Sequence, residues 1–331
     1  MEPSSARRRL ASCTAALDLR ARGEGAWLRV LHGLEGMRRQ HLEPDVVSFT
    51  ASASACARGD RWDWALAVAD ELRGRAIEPS MVTCGAEVGA CARLGEQWRA
   101  ALRLAEEGQR QALEVSLVTW NTLVSALGRG KHWDQALVAL REAGASRAEP
   151  DVVGHDAAIT ACGEGGAWRV GLLLLSSVLL GALEPNVITQ NAAASACEKG
   201  ERWEHALGQL QGMLRSRLEP SIVTHNAVAS ACEKGAQWQR ALSVFEDLLR
   251  HGPEPDVLTY GAALGACLAG RQWARALEVA QEMQRRHFEL STITCQAAFG
   301  ACELGGRHLP AQDFLAAVSR RGLAIVSDQV H

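Results

Sequence analysis

The chain has 331 residues, 47% of them hydrophobic and 22% charged, and a formal net charge of −3. A balance so near neutral singles out no class of partner, so any charge-driven binding must come from where the charges sit. No CxxC pair, no apolar run of membrane-spanning length and no signal peptide stands in the sequence, which reads as a soluble chain without a membrane partner.

The chain opens on MEPSSARRRL, residues 1–10, basic but too short for a transit peptide. From there tryptophan falls at 27, 62, 98, 133, 168, 203, 238 and 273, in steps of 35 with one of 36. Such a period marks stacked supersecondary units, none able to bury its apolar face alone. ASACEKG stands at 194–200 and again at 229–235, with weaker copies at 53–59, 265–270 and 300–306. Units begin at 46, 81, 117, 152, 187, 222, 257 and 292, with a poorer one at 11, and fill residues 11–326 before a short tail, 327–331. The extra residue of the longer unit falls near Leu94-Gly95, where a turn is expected.

One unit shows the anatomy. Val187–Glu198 is rich in Ala and is followed by Gly200, which predicts a helix ended by a C-terminal glycine. Trp203, Ala206, Leu207, Leu210 and Leu214 recur at spacings of three and four, the stripe of an amphipathic second helix. Leu218-Glu219-Pro220-Ser221 then stops that helix and opens the next unit. The fold class is therefore all-α, a solenoid of about nine helical hairpins. Seven of ten cysteines (Cys56, Cys91, Cys162, Cys197, Cys232, Cys267, Cys302) hold one place in successive units. They read as reduced core thiols, and the compartment as a reducing one. The tryptophans, each opening a second helix, read as filling of their own hairpin rather than as base-stacking surfaces.

The tokens VTWNTLVSAL (118–127) and VTHNAVASACEKG (223–235), the Ala-Leu pair of the second helix and the closing EPD, EPS or EPN resemble those of pentatricopeptide repeat proteins of the plain type. The resemblance covers residues 11–326. It implies a right-handed solenoid whose first helices line a groove for single-stranded RNA, one nucleotide per repeat. It also implies mitochondrial or chloroplast RNA processing, stability or translation, with RNA-processing proteins as further partners. No transit peptide is visible, and neither end shows a polar capping helix, so the chain is expected to be a fragment or an incomplete gene product.

By the same resemblance the fifth and last residues of each repeat read the base: Thr50/Ser80, Asn121/Asp151, Asp156/Asn186, Asn191/Ser221 and Asn226/Asp256. Their polar groups suit Watson–Crick edges. The family's pairing favours U for Asn with Asp and C for Asn with Ser, so the expected core is 5′-U-N-C-U-3′. Gly85 and Gly261 stand at fifth positions with no reading side chain. The last residue is also a preferred N-cap, and the two roles are compatible. The second position is aliphatic throughout, at Val47, Val82, Val118, Val153, Ile188, Val223, Leu258 and Ile293; the resemblance has these sandwich bases, and packing between repeats is the alternative. Arg58, Arg93, Arg129, Lys199 and Lys234 recur at position 13, either as a phosphate stripe or as cations opposing the helix dipole.

Position 33 departs from the family's frequent Lys, being Glu at 43, 78, 114, 149, 184, 219, 254 and 289. That acidic ladder keeps open a second reading, a scaffold whose groove binds protein. His287-Phe288-Glu289 matches half of a zinc-deaminase signature, but no P-C-x-x-C follows it. Neither catalysis nor a cofactor is expected.

Overall fold

The computed structural model describes residues 25–304 apart from 41, 43, 60, 76–79, 93–96, 111–114, 146–149, 182, 184, 287 and 289–291. The expected boundaries of the array and the unit from 11 lie largely outside them, as does the inserted residue near Leu94. The chain divides into two compact units, Met1–Gly165 and Gly166–His331. The described residues form helices alone, joined by turns.

The first unit holds α1 (Ala26–Arg39), α2 (Val46–Arg58), α3 (Trp62–Gly74), α4 (Met81–Ala92), α5 (Trp98–Arg110), α6 (Leu117–Arg129), α7 (Trp133–Ala145) and α8 (Val152–Glu164). The second holds α9 (Trp168–Leu180), α10 (Val187–Lys199), α11 (Trp203–Arg215), α12 (Ile222–Lys234), α13 (Trp238–His251), α14 (Val257–Ala269), α15 (Trp273–Arg285) and α16 (Thr292–Leu304). First helices stack on first helices within each unit: α2, α4, α6 and α8 in one, α10, α12, α14 and α16 in the other. Small residues permit this approach. A Cβ on Gly128 would lie 3.0 Å from Ala161 Cβ, so α6 and α8 nearly touch backbones. Second helices bury one stripe, as α13 does with Ala241, Leu242, Val244, Phe245 and Leu248.

Seven cysteines are described with their side chains, at 56, 84, 91, 162, 197, 232 and 267, and all are free and buried. Burial raises their thiols, to about 11 at Cys56 and about 12 at Cys197, so they pack as small apolar groups. Cys302 lies outside the described side chains.

Gly200 is the C-cap of its helix, as expected, and has an ordinary φ of −81°. The left-handed residue is the one after it, Glu201, at φ 55°. Arg202 N–H then donates to Cys197 O at 2.9 Å and Glu201 N–H to Glu198 O at 3.0 Å, a Schellman closure. The same turn recurs with Lys131, Ala236 and Arg271 at φ 60°, 55° and 52°. Glycine is required at the preceding position for space, because a tryptophan occupies it. Trp27, Trp133, Trp168, Trp203 and Trp238 lie against Gly59, Gly165, Gly200, Gly235 and Gly270 respectively. Each of these tryptophans thus seats on the turn of the following hairpin and is half-buried, and Trp203 and Trp238 also pack on the apolar core of their own hairpins, as expected. Its indole needs a flat neighbour there, and only a residue without Cβ supplies one.

Candidate nucleic-acid interface

Seven of the described first helices are opened by a capping residue. The side chains of Asp45, Ser80, Ser116, Asp151, Asn186, Ser221 and Asp256 accept from the backbone N–H three residues on, at 2.9 to 3.3 Å. This satisfies one of the amides a helix start leaves unpaired. In α10, α12 and α14 the bond is returned, since Thr189, Thr224 and Thr259 side chains accept from the cap's own N–H.

The cap also meets the fifth residue of the preceding hairpin. Asn121 Nδ2 donates to Asp151 Oδ1 at 3.0 Å. Asn226 Nδ2 donates to both Asp256 oxygens, at 3.0 and 3.1 Å. Ser221 Oγ donates to Asn191 Oδ1 at 3.1 Å. Thr50 reaches Ser80 through Thr83, with Oγ1···Oγ1 at 2.6 Å and Ser80 Oγ to Thr83 Oγ1 at 2.8 Å. Residues 30 apart in sequence are therefore one polar pair, half-buried and open to solvent on one side. Burial by itself would raise the Asp256 carboxyl, but the bonds from Thr259 and Asn226 outweigh it and hold it below its ordinary value, so it stands ionised as an acceptor. Asp156 is buried in α8, and Asn186 caps α10 in the other unit. Gly85 and Gly261 carry no side chain at this place, and Gly85 faces Thr119 Oγ1.

One turn back, the aliphatic second residues stand in solvent. Val47, Val82, Val118, Val153, Ile188, Val223 and Leu258 are each 50 to 73% exposed. Packing between repeats does not account for them, and that alternative is set aside. Ile293 lies outside the described side chains.

At the far end of the same helices, about 16 Å away by the rise of 11 helical residues, Arg58, Arg129, Lys199 and Lys234 are exposed. Lys234 Nζ pairs with Glu198 Oε1 at 3.0 Å, an exposed ion pair of small energy. Arg93 lies outside the described residues. Of the position-33 glutamates, Glu219 and Glu254 are described, and both are exposed. Among the described residues no group of three His, Cys, Asp or Glu could hold a metal ion, and no helix is long and apolar enough to cross a membrane.

The sequence reading missed the third residue of each hairpin. Thr83, Thr119, Thr189, Thr224, Thr259 and Thr294 are buried, and several bond to the polar pair. Their recurrence at one register was visible in the sequence, but a threonine on a helix carries no sign of its partner.

The pentatricopeptide repeat domain matches residues 210–270 and 243–307, and the PPR repeat matches 118–143. These stretches of the chain carry pentatricopeptide repeats. The fold of the chain is similar to that of the pentatricopeptide repeat protein PPR10 from maize, at a TM-score of 0.57 and 22% identity over 94% of this chain. It is likewise similar to PPR10 in complex with an 18-nt psaJ RNA element, at a TM-score of 0.53 and 22% identity over 94% of this chain. The chain spans about half of each solved structure, 49%. No curated protein matches its sequence. At these identities the likeness to solved structures shows the fold, an all-α solenoid of helical hairpins.

Proposed function

We propose that this chain binds single-stranded RNA selectively, one nucleotide per hairpin, and serves organellar RNA processing, stability or translation. The observation that carries the reading is the exposed aliphatic ladder at position 2 beside the polar pair formed by positions 5 and 35. Apolar side chains left in water at one register of seven described first helices are suited to cover base faces. The pair beside them offers donors and acceptors to a Watson–Crick edge. Thr50/Ser80, Asn121/Asp151, Asn191/Ser221 and Asn226/Asp256 are the readers. Arg58, Arg129, Lys199 and Lys234 hold phosphates. Within the second unit Asn191/Ser221 and Asn226/Asp256 read 5′-C-U-3′ in chain order. The RNA held by PPR10 supports the reading.

Selection from a random single-stranded RNA library tests it. Enrichment of C-U-containing RNA over duplex RNA is expected; retention of no RNA at 50 mM salt, where phosphate contacts are strong, overturns it. The exposed Glu219 and Glu254 favour a protein-binding groove instead, and in that case no pool is enriched.

A further inference from the structure

We infer that the third residue of each hairpin is a positioning residue for base selection: Thr224 fixes which way the Asn191 amide faces and so decides the base read there. This rests on the reading of the polar pairs as base readers.

An asparagine amide can flip, exchanging a carbonyl acceptor for an amino donor at nearly the same place. What the amide shows to a base therefore depends on what holds its other side. At Asn226 two groups hold it. Asp256 is an ionised acceptor and takes Nδ2 at 3.0 and 3.1 Å. Thr259 Oγ1, which accepts from Asp256 N–H at 3.2 Å, has its one proton between Asn226 Oδ1 at 2.6 Å and Asp256 Oδ1 at 2.9 Å. The carboxylate alone would fix this amide, because an acceptor cannot face the carbonyl oxygen. One amino hydrogen is left for the base beside the carboxylate's free lone pairs. A donor next to an acceptor matches uracil, whose O4 accepts and N3–H donates.

At Asn191 the cap is Ser221, whose hydroxyl can donate or accept and does not fix the amide by itself. Thr224 breaks the tie. Its Oγ1 accepts from Ser221 N–H at 3.1 Å and donates its one proton to Asn191 Oδ1. Ser221 Oγ joins it on the same oxygen at 3.1 Å. Nδ2 is turned away, with no hydrogen-bond partner among the described residues, and both its hydrogens are offered outward. A pure donor matches the N3 and O2 acceptors of cytosine. The third residue is thus decisive where the cap is Ser and redundant where it is Asp. Asn121 is the natural control: Asp151 holds its amide, and the third residue there is Gly154, with no hydroxyl.

Thr224→Val and Thr259→Val, each compared with the matching Ser variant, test the inference in the full chain. Both threonines return a bond to their N-cap, so a merely structural role predicts equal effects at the two sites. Dissociation constants are measured for RNAs selected by the parent and carrying each of the four bases at the nucleotide concerned, with thermal melts alongside. Loss of one orienting hydrogen bond should reduce the C-over-U preference about five- to tenfold in T224V. T259V should keep its U preference within about twofold, and T224S should restore C. An unchanged C preference in T224V, or equal losses in T224V and T259V, overturns the inference while leaving RNA binding standing. A parent with no base preference at these nucleotides overturns the proposed function, and the inference with it.

Discussion

A Cβ placed on Gly200 would lie 2.5 Å from Trp168 Cδ1, so the indole of one hairpin occupies the space a side chain would take at the turn of the next. Arg202 lies over the same indole at 5.2 Å and His205 beside it at 5.1 Å. The neighbouring Glu201 carries the left-handed backbone, and the two adjacent residues therefore respond oppositely to substitution. Gly200→Ala is expected to destabilise the second unit by about 1–3 kcal/mol, because the indole must move out of a packed contact. Glu201→Gly should be neutral or stabilising by about 1 kcal/mol, since glycine accepts positive φ without steric cost. Urea melts of the two variants check the pair. Equal losses would show that the turn, not the indole, sets the requirement.

Glu87 gives a pH dependence to the first unit. It is buried on α4, and burial raises its carboxyl to about 7 against the pull of Arg73, whose guanidinium donates to it at 2.8 Å. A carboxyl that holds its proton more tightly when folded contributes most below its unfolded value near 4.5, and the contribution is lost as pH rises through about 7. Stability should therefore fall by about 2 kcal/mol between pH 5 and 8 from this residue, and Glu87→Gln should remove that slope. Thermal melts across this range decide it; a slope that survives the substitution assigns the pH dependence elsewhere.

Ile188 and Val223 are 65% and 50% exposed, so replacing either by Ser should leave stability within about 0.5 kcal/mol. If they cover bases, each loses about 1.5 kcal/mol of buried contact, or roughly tenfold in RNA affinity. Fluorescence anisotropy against a selected RNA measures the loss. Unchanged affinity would remove the ladder from the interface.

Ser221→Asp keeps an N-cap residue on α12 and places an acceptor opposite Asn191. The amide should turn Nδ2 toward it, as Asn226 does toward Asp256 at 3.0 Å. Selection from a random library should then move the preferred base at that nucleotide from C to U, with melting unchanged. A retained C would sink the reading of the last residue as a base reader.

Lys199→Ala should weaken all RNA sequences alike and lower the slope of log affinity against log salt by about 0.7, the single-strand value for one phosphate. An unaltered slope would leave Lys199 as a solvated helix end.

The chain's own periodicity determined the element order. A tryptophan every 35 residues, the Ala-Leu stripe of the second helix and the Pro turn are local signals, and α10, α12 and α14 open at residues 187, 222 and 257, the first after each capping residue. Caps were legible for the same reason: Ser, Asp and Asn act on an amide three residues away. Three things were decided only by tertiary structure. The tryptophans could be assigned to their own hairpin from their spacing, but not also to the turn of the next. Gly200 could be recognised as a terminator, but its cause lay in an indole 32 positions earlier. Thr224 could be seen as one of a ladder, but its hydroxyl acts on Asn191, 33 residues back. Sequence patterns report contacts along one helix or turn, where spacing and geometry are the same thing. Contacts between hairpins depend on how one unit stacks on the next, and no short-range signal carries that.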